Sequence, residues 1–100
     1  MTRRKFLVEW TIPALADLKE AAAFIRRDNP TAAKRFYQGV LRRTDPLESY
    51  AMLGRIVPEY GDELRHELIH PPYRIIYQVV PAERKVEILA VFHSARLLVQ

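Results

Sequence analysis

The second half of the chain alternates between apolar and polar residues in the manner of β-strands. The pattern predicts three strands, over about residues 64–69, 73–80 and 86–93, and a further short strand over residues 55–58. The links between the three longer strands are short, so we expect consecutive strands to pair as an antiparallel meander. Another predicted strand, over about residues 4–10, must join the same sheet from a distant part of the chain.

Between the first strand and the others, apolar residues recur at intervals of three and four, which predicts two helices. Thr11 is a suitable N-cap for the first helix and Asn29 for the second, each with a proline in the turn that follows. Pro46 is expected to end or kink the second helix near residues 44–45. The predicted core-facing stripes are Leu15, Leu18, Ala22 and Ile25, then Ala33, Phe36, Tyr37, Val40 and Leu41.

The order of these elements predicts one domain over residues 1–100 with an α+β fold. Two helices joined by so short a turn must pack antiparallel, as a helical hairpin. A β-α-α-β-β-β order then gives two layers, an antiparallel sheet with the helical hairpin packed on one face. This arrangement buries both apolar stripes against the same side of the sheet.

The net charge of +4 is unevenly distributed. Residues 1–50 hold ten Lys and Arg against six Asp and Glu, whereas residues 51–100 hold six of each kind. The helical half is therefore the basic half, which suggests an acidic partner, either a protein or a nucleic acid.

The composition predicts a cytoplasmic protein. Because the chain has no cysteine, it has no disulfide and no thiolate metal site, and a reducing compartment is expected. No apolar run approaches the length of a membrane span, so we expect no membrane association. The basic start resembles a signal peptide, but Glu9 and Trp10 interrupt its apolar segment after three residues.

Five short motifs, in this order, resemble those of the RelE/ParE superfamily of bacterial toxins. They are Ala-Leu-Ala-Asp-Leu at 14–18, Asn-Pro-Thr-Ala-Ala at 29–33, Gly-Arg-Ile-Val-Pro-Glu at 54–59, Tyr-Arg-Ile-Ile-Tyr at 73–77, and His93 followed by Arg96. The resemblance extends over about residues 6–98 and is closer to ParE-type members than to RelE-type members.

The resemblance implies the toxin of a type II toxin–antitoxin pair, which arrests bacterial growth and is neutralised by a cognate antitoxin. A ParE-like toxin would have a ParD-like antitoxin, inhibit DNA gyrase, and reach operator DNA only through that antitoxin. A RelE-like toxin would instead cleave messenger RNA on the ribosome. Neither activity requires a cofactor. A third alternative is an inactive toxin that only binds its antitoxin.

Cleavage of RNA without a metal needs a base, an acid and cations that hold the phosphate. In this hypothesis His93 or Glu67 is the base, Tyr77 or His93 is the acid, and Arg65, Arg74 and Arg96 clamp the phosphate. Arg74 and Tyr77 are three residues apart on one strand and point to opposite faces unless a bulge intervenes. The structural alternatives are a cross-strand Arg65–Glu67 ion pair and a core position for Tyr77. His66 and His70 lack a third metal ligand, so no metal site is expected.

Two features favour a gyrase inhibitor, which is not an enzyme, over the ribonuclease. The sheet half has no net charge and a single lysine, whereas docking on a ribosome relies on many phosphate contacts. The predicted helical hairpin instead carries the basic residues that we expect to bind the partner: Arg26, Arg27, Lys34, Arg35, Arg42 and Arg43.

Overall fold

The computed structural model describes residues 5–95, which form two helices and a five-stranded sheet. In chain order the elements are β1 (Leu7–Trp10), α1 (Ile12–Arg26), α2 (Pro30–Thr44), β2 (Arg55–Ile56), β3 (Arg65–His70), β4 (Tyr73–Val80) and β5 (Lys85–His93). Single turns of 3₁₀-helix follow α2 and β4. The predicted two-layer α+β fold, with the hairpin on one face of the sheet, is confirmed.

The two helices begin at the predicted caps. The Thr11 hydroxyl accepts a hydrogen bond from the backbone N–H of Ala14 at 3.3 Å, and the Asn29 side chain accepts one from Ala32 at 3.0 Å. Each bond satisfies one of the N–H groups that a helix start leaves unpaired. The second helix ends at Thr44, and Pro46 lies in the 3₁₀ turn that follows, as its missing N–H requires.

The sheet is mixed, so the prediction of a wholly antiparallel sheet is wrong for one pair of strands. The strand order is β1-β5-β4-β3-β2, and β1 pairs with β5 in parallel, while all other pairs are antiparallel. No tight hairpin joins β1 to β5, and only a tight hairpin forces antiparallel pairing. From β2 to β5 the chain reverses direction three times, so β5 runs opposite to β2 and in the same direction as β1.

The β4–β5 ladder contains a bulge, which lies on β5. Ile76 is paired with Ala90 but Tyr77 with Ile88, so Leu89 has no partner on β4. Two residues of β5 therefore oppose one residue of β4, and the alternation of side chains along β4 is unchanged. Arg74 and Tyr77 consequently remain on opposite faces of the sheet.

Each face of the sheet carries its own apolar cluster. The larger core lies under the helices and includes Leu18, Phe36, Val40, Ile75, Tyr77 and Ile88. The smaller cluster, on the face without helices, is formed by Val57, Ile76 and Phe92, with Tyr60 packed against it. The segment between β2 and β3 thus covers part of the helix-free face, and it is this segment that positions the charged residues described next.

The helix stripes were predicted well at their centres and less well at their edges. Leu18, Ala22 and Ile25 of α1 and Phe36, Val40 and Tyr37 of α2 contact the core. Leu15 and Leu41 are only half-buried, and Ala14 and Ala21 take the inner positions beside Leu18. Within residues 5–95, no helix has the length and apolar character needed to cross a membrane.

Candidate functional site

Four charged side chains form one network on the helix-free face. The Arg74 Nε donates to one carboxylate oxygen of Glu67 at 2.6 Å, and its two terminal nitrogens donate to Glu59 at 2.7 and 2.9 Å. Arg55 of β2 donates to the other oxygen of Glu67. The Glu67 side chain is fully buried and that of Arg74 is 9% exposed. Two cations and two anions balance, so the network is neutral as a whole.

The network holds Glu59 and Arg74 in the charged form. The bidentate hydrogen bond from Arg74 lowers the pKa of Glu59 from 4.5 to about 2, and the same bond raises the pKa of Arg74 above its ordinary value. Bidentate pairing between a guanidinium and a carboxylate is also among the stronger and more geometrically specific hydrogen-bonded contacts in proteins. Arg74 is therefore engaged by Glu59 and Glu67 rather than open to a phosphate.

The pKa of Glu59 gives a prediction for the dependence of stability on pH. Because the folded pKa lies below the unfolded one, the stabilisation from Glu59 is present above about pH 4.5 and is lost as the pH falls towards 2. We expect Glu59→Gln to be less stable than the wild type at pH 7, with a difference that shrinks over this acid range. Urea unfolding of both proteins at pH 7, 4 and 3 measures this difference in the free energy of unfolding.

The control for this experiment is Glu63→Gln. Glu63 is exposed, and its side chain forms no ion pair with any residue between 5 and 95. Its variant should follow the wild-type pH profile. A stability difference between Glu59→Gln and the wild type that is the same at all three pH values would contradict the assignment.

Tyr77 lies on the other face, inside the main core. Its side chain has no exposed surface, its ring stacks on that of His66 with 5.6 Å between centroids, and its hydroxyl accepts a hydrogen bond from Gly54 at 2.8 Å. Burial raises the pKa of Tyr77. A Cβ at Gly54 would lie 2.3 Å from the carbonyl oxygen of Glu67, so only glycine permits this approach. These contacts hold the start of β2 against β3 and β4.

His93 is exposed at the end of β5, on the helix side of the sheet. Its ring makes an edge contact with Tyr73 at 5.7 Å, and its Nδ1 accepts a hydrogen bond from the backbone of Ala95 at 3.1 Å. Arg65 lies on the helix-free face, where its guanidinium is 4.8 Å from the ring of Tyr60. The predicted site residue Arg96 lies outside the described residues.

The residues predicted for RNA cleavage are thus divided between the two faces. Arg65, Glu67 and Arg74 share the helix-free face, whereas Tyr77 is buried in the core and His93 lies beside the helices. The alternative of an Arg65–Glu67 ion pair is wrong, because Glu67 pairs with Arg55 and Arg74 instead. Sequence reasoning missed Glu59, Arg55 and the buried His66. The Gly-Arg-Ile-Val-Pro-Glu motif at 54–59 could have indicated two of them, since it contains both Arg55 and Glu59.

All six basic residues predicted for partner binding are exposed, but they form two groups. Arg26, Arg27, Lys34 and Arg35 lie near the turn of the hairpin, which we call the hairpin tip. Lys19, Arg26 and Lys34 also line a groove between the helices, whose other lining residues are uncharged. The second group, Arg42 and Arg43, lies at the far end of α2.

No group of three metal-ligating side chains comes together in the part of the chain that the structure describes. The charged residues of the site are instead matched with one another, as in the Glu59–Arg74 pair. The charged residues of the site can therefore form ion pairs with one another, and the exposed cations of the helices present a basic surface to a partner.

The fold and the sequence motifs agree with a known family. Residues 8–98 match the family described as the ParE toxin of the type II toxin–antitoxin system parDE. The chain belongs to this family of toxins. Toxin RelE2 of Caulobacter vibrioides is 37% identical to it over 90 residues, which cover 90% of this chain and 97% of that relative. The resemblance to the RelE/ParE superfamily that the sequence motifs indicated is therefore confirmed.

Solved structures of the superfamily have the same fold. A chain of the chromosomal ParDE system of P. aeruginosa superposes with a TM-score of 0.75 at 20% identity and covers 91% of the toxin and 98% of its own length. A chain of the RelBE2 toxin–antitoxin complex of Mycobacterium tuberculosis gives 0.64, also at 20% identity, with 89% and 98% covered. The related proteins carry both ParE and RelE names, so the target must be argued from the residues of this toxin.

Proposed function

We propose that this toxin inhibits DNA gyrase and that a cognate, ParD-like antitoxin neutralises it. The observation that carries the proposal is the division of the candidate ribonuclease residues. A base and an acid must reach the same phosphodiester, within hydrogen-bond distance of the atoms that exchange protons. His93 and Arg74 lie on opposite faces of one sheet, and Tyr77 is buried between sheet and helices.

The exposed hairpin tip supports a target with an acidic surface. Its four basic side chains are exposed, as is the ring of Phe24, over which the Arg27 guanidinium lies at 5.9 Å. Clustered cations raise the rate of encounter with an oppositely charged surface, and an exposed aromatic residue adds apolar contact area. Binding of this kind requires no catalytic group on the toxin.

Two surfaces suit an antitoxin. Within residues 5–95, β1 is an outermost strand of the sheet and its Leu7 is 62% exposed, so an extended segment can pair there by strand addition. The groove between the helices offers basic and apolar contacts to an acidic helix. Recognition of operator DNA would come from this antitoxin, and the complex would reside in the bacterial cytoplasm.

The proposal is tested by a supercoiling assay with gyrase from the same host. Purified toxin at micromolar concentration should prevent the supercoiling of relaxed plasmid and increase the amount of cleaved DNA bound to gyrase. Prior addition of the antitoxin should restore supercoiling. Unimpaired supercoiling would overturn the proposal.

The alternative is a ribosome-dependent endonuclease, which the 37% identity to a toxin named RelE2 favours. In this case primer extension on translated message would show cuts in the ribosomal A site. His93→Ala would abolish these cuts, because His93 is the exposed titratable group among the predicted catalytic residues of the described chain. Intact message in arrested cells is expected under the gyrase proposal.

A further inference from the structure

The end of β3 places a histidine against the last two turns of α2. A Cβ at Gly39 would lie 2.6 Å from the Cε1 atom of His70, so the missing side chain of glycine lets the ring rest on the helix. Arg42 and Arg43 follow Gly39 by three and four residues and therefore project from the same side of α2, one turn further along. Arg43 also donates two hydrogen bonds to the backbone carbonyl of Ile69, the residue before His70.

Positive charge at this position is not balanced by a carboxylate. Among residues 5–95, neither Arg42 nor Arg43 lies within 4 Å of an Asp or Glu oxygen, and the His70 ring nitrogens have no hydrogen-bond partner. Tyr73, the partner of His70 on β4, adds an aromatic ring but no negative charge. Partial burial and the two arginines lower the pKa of His70, so its ring is neutral near pH 7 when nothing is bound.

We propose that Arg42, Arg43 and His70 form a phosphate-binding site, which we call the basic corner, and that it contacts the DNA backbone. Guanidinium groups bind phosphate oxygens through paired N–H donors, and the imidazole ring supplies a further donor once it is protonated. The C-terminal end of α2 carries the equivalent of about half a negative charge, which disfavours a bound anion. The two arginines contribute two full positive charges and outweigh it. DNA as the source of the phosphate rests on the proposed function.

The basic corner should bind more tightly as the pH falls. A bound phosphate offsets the positive charge that disfavours the imidazolium form, so binding takes up a proton at His70. By linkage, protonation of His70 then strengthens phosphate binding by the same factor. The corner therefore differs from a surface of arginines alone, whose charge does not change between pH 5.5 and 8.

The experiment measures the affinity of a short fluorescent DNA duplex for the toxin by anisotropy, with no gyrase present. In Arg42→Gln/Arg43→Gln we expect at least a tenfold loss of affinity and a fall of about 2 in the slope of log K against log salt concentration. Arg42→Gln alone, which keeps the Arg43 contact with Ile69, should lower that slope by about 1. Lys5→Gln, which removes one exposed positive charge that is already paired with Glu48, is the control for Arg42→Gln and should change the affinity less than twofold.

The role of His70 is tested by the pH profile and by NMR of its ring. The wild type should bind the duplex about threefold or more tightly at pH 5.5 than at pH 8, and His70→Gln should lose this difference while still binding at pH 8. Addition of duplex should shift the His70 ring signals. If only inorganic phosphate shifts these signals, if Lys5→Gln weakens binding as much as Arg42→Gln does, or if His70→Gln keeps the pH dependence, the proposal is overturned.

These outcomes are separate from those of the supercoiling assay. A toxin that inhibits gyrase but binds DNA equally well after loss of the basic corner would overturn this inference and leave the proposed function intact. A toxin whose basic corner binds DNA as described, but which leaves gyrase active, would overturn the proposed function alone.

Discussion

Arg74→Ala is expected to lower the free energy of unfolding by about 3–5 kcal/mol. The substitution removes the cation that faces a fully buried Glu67 carboxylate and leaves Glu59 without its bidentate partner. A buried charge that has lost its counter-ion destabilises the fold by far more free energy than an exposed ion pair contributes. The total free energy of unfolding of such a domain is only about 5–15 kcal/mol. Urea unfolding followed by far-UV circular dichroism measures the loss.

Two further variants show whether the loss comes from the buried charge. Glu67→Met/Arg74→Met removes both partners together and should recover most of the stability, because apolar residues of similar volume can replace a buried ion pair. Arg65→Ala, on the same face but 34% exposed, should cost about 1 kcal/mol or less. Equal stabilities of the Arg74→Ala and Arg65→Ala variants would contradict the assignment. A loss of toxicity in Arg74→Ala therefore cannot be taken as loss of a catalytic group unless its folding is measured.

Neutralising the hairpin tip is expected to weaken the toxin at least tenfold without unfolding it. The variant replaces Arg26, Arg27, Lys34 and Arg35 by glutamine, which removes four exposed positive charges from the surface proposed to meet gyrase. Its unfolding free energy should remain within about 1 kcal/mol of the wild type, since exposed charges contribute little to stability. The toxin concentration that halves supercoiling, and growth of cells expressing the variant, give the two measurements.

The matched control is Lys5→Gln. Lys5 is an exposed cation near the other end of α2, paired at 3.0 Å with Glu48. The Lys5→Gln variant should inhibit gyrase as the wild type does. Full inhibition by the tip variant would show that the toxin meets gyrase through another surface.

Features that depend on neighbouring residues were predicted from the sequence. Thr11 and Asn29 cap their helices because each is followed by a turn whose N–H groups need an acceptor. The meander of β3, β4 and β5 follows from short links between alternating strands. In each case the determining contacts lie within a few residues along the chain, where spacing alone identifies them.

Features that depend on contacts between distant residues could not be predicted from the sequence. Alternation placed Arg74 and Tyr77 on opposite faces, but it does not specify which residue of another strand stands opposite. The partners of Arg74 are seven and fifteen residues away, and their choice depends on register and on the path of the loop after β2. The direction of β1 relative to β5 likewise depends on how often the chain reverses between the two strands. The bulge at Leu89 depends on how β4 and β5 pack against each other.

The pairing of β1 with β5 constrains how the nascent toxin folds during translation. Thr11, directly after β1, donates both its hydroxyl and its backbone N–H to the carbonyl of Ile88, 77 residues later. Until β5 has left the ribosome exit tunnel, β1 has no strand beside it and the layer under the helices is incomplete. Such long-range closure slows folding relative to local contacts. The native surface, and with it the capacity to harm the cell, therefore arises only after most of the chain has been synthesised, which leaves an interval in which an antitoxin can engage the incomplete chain.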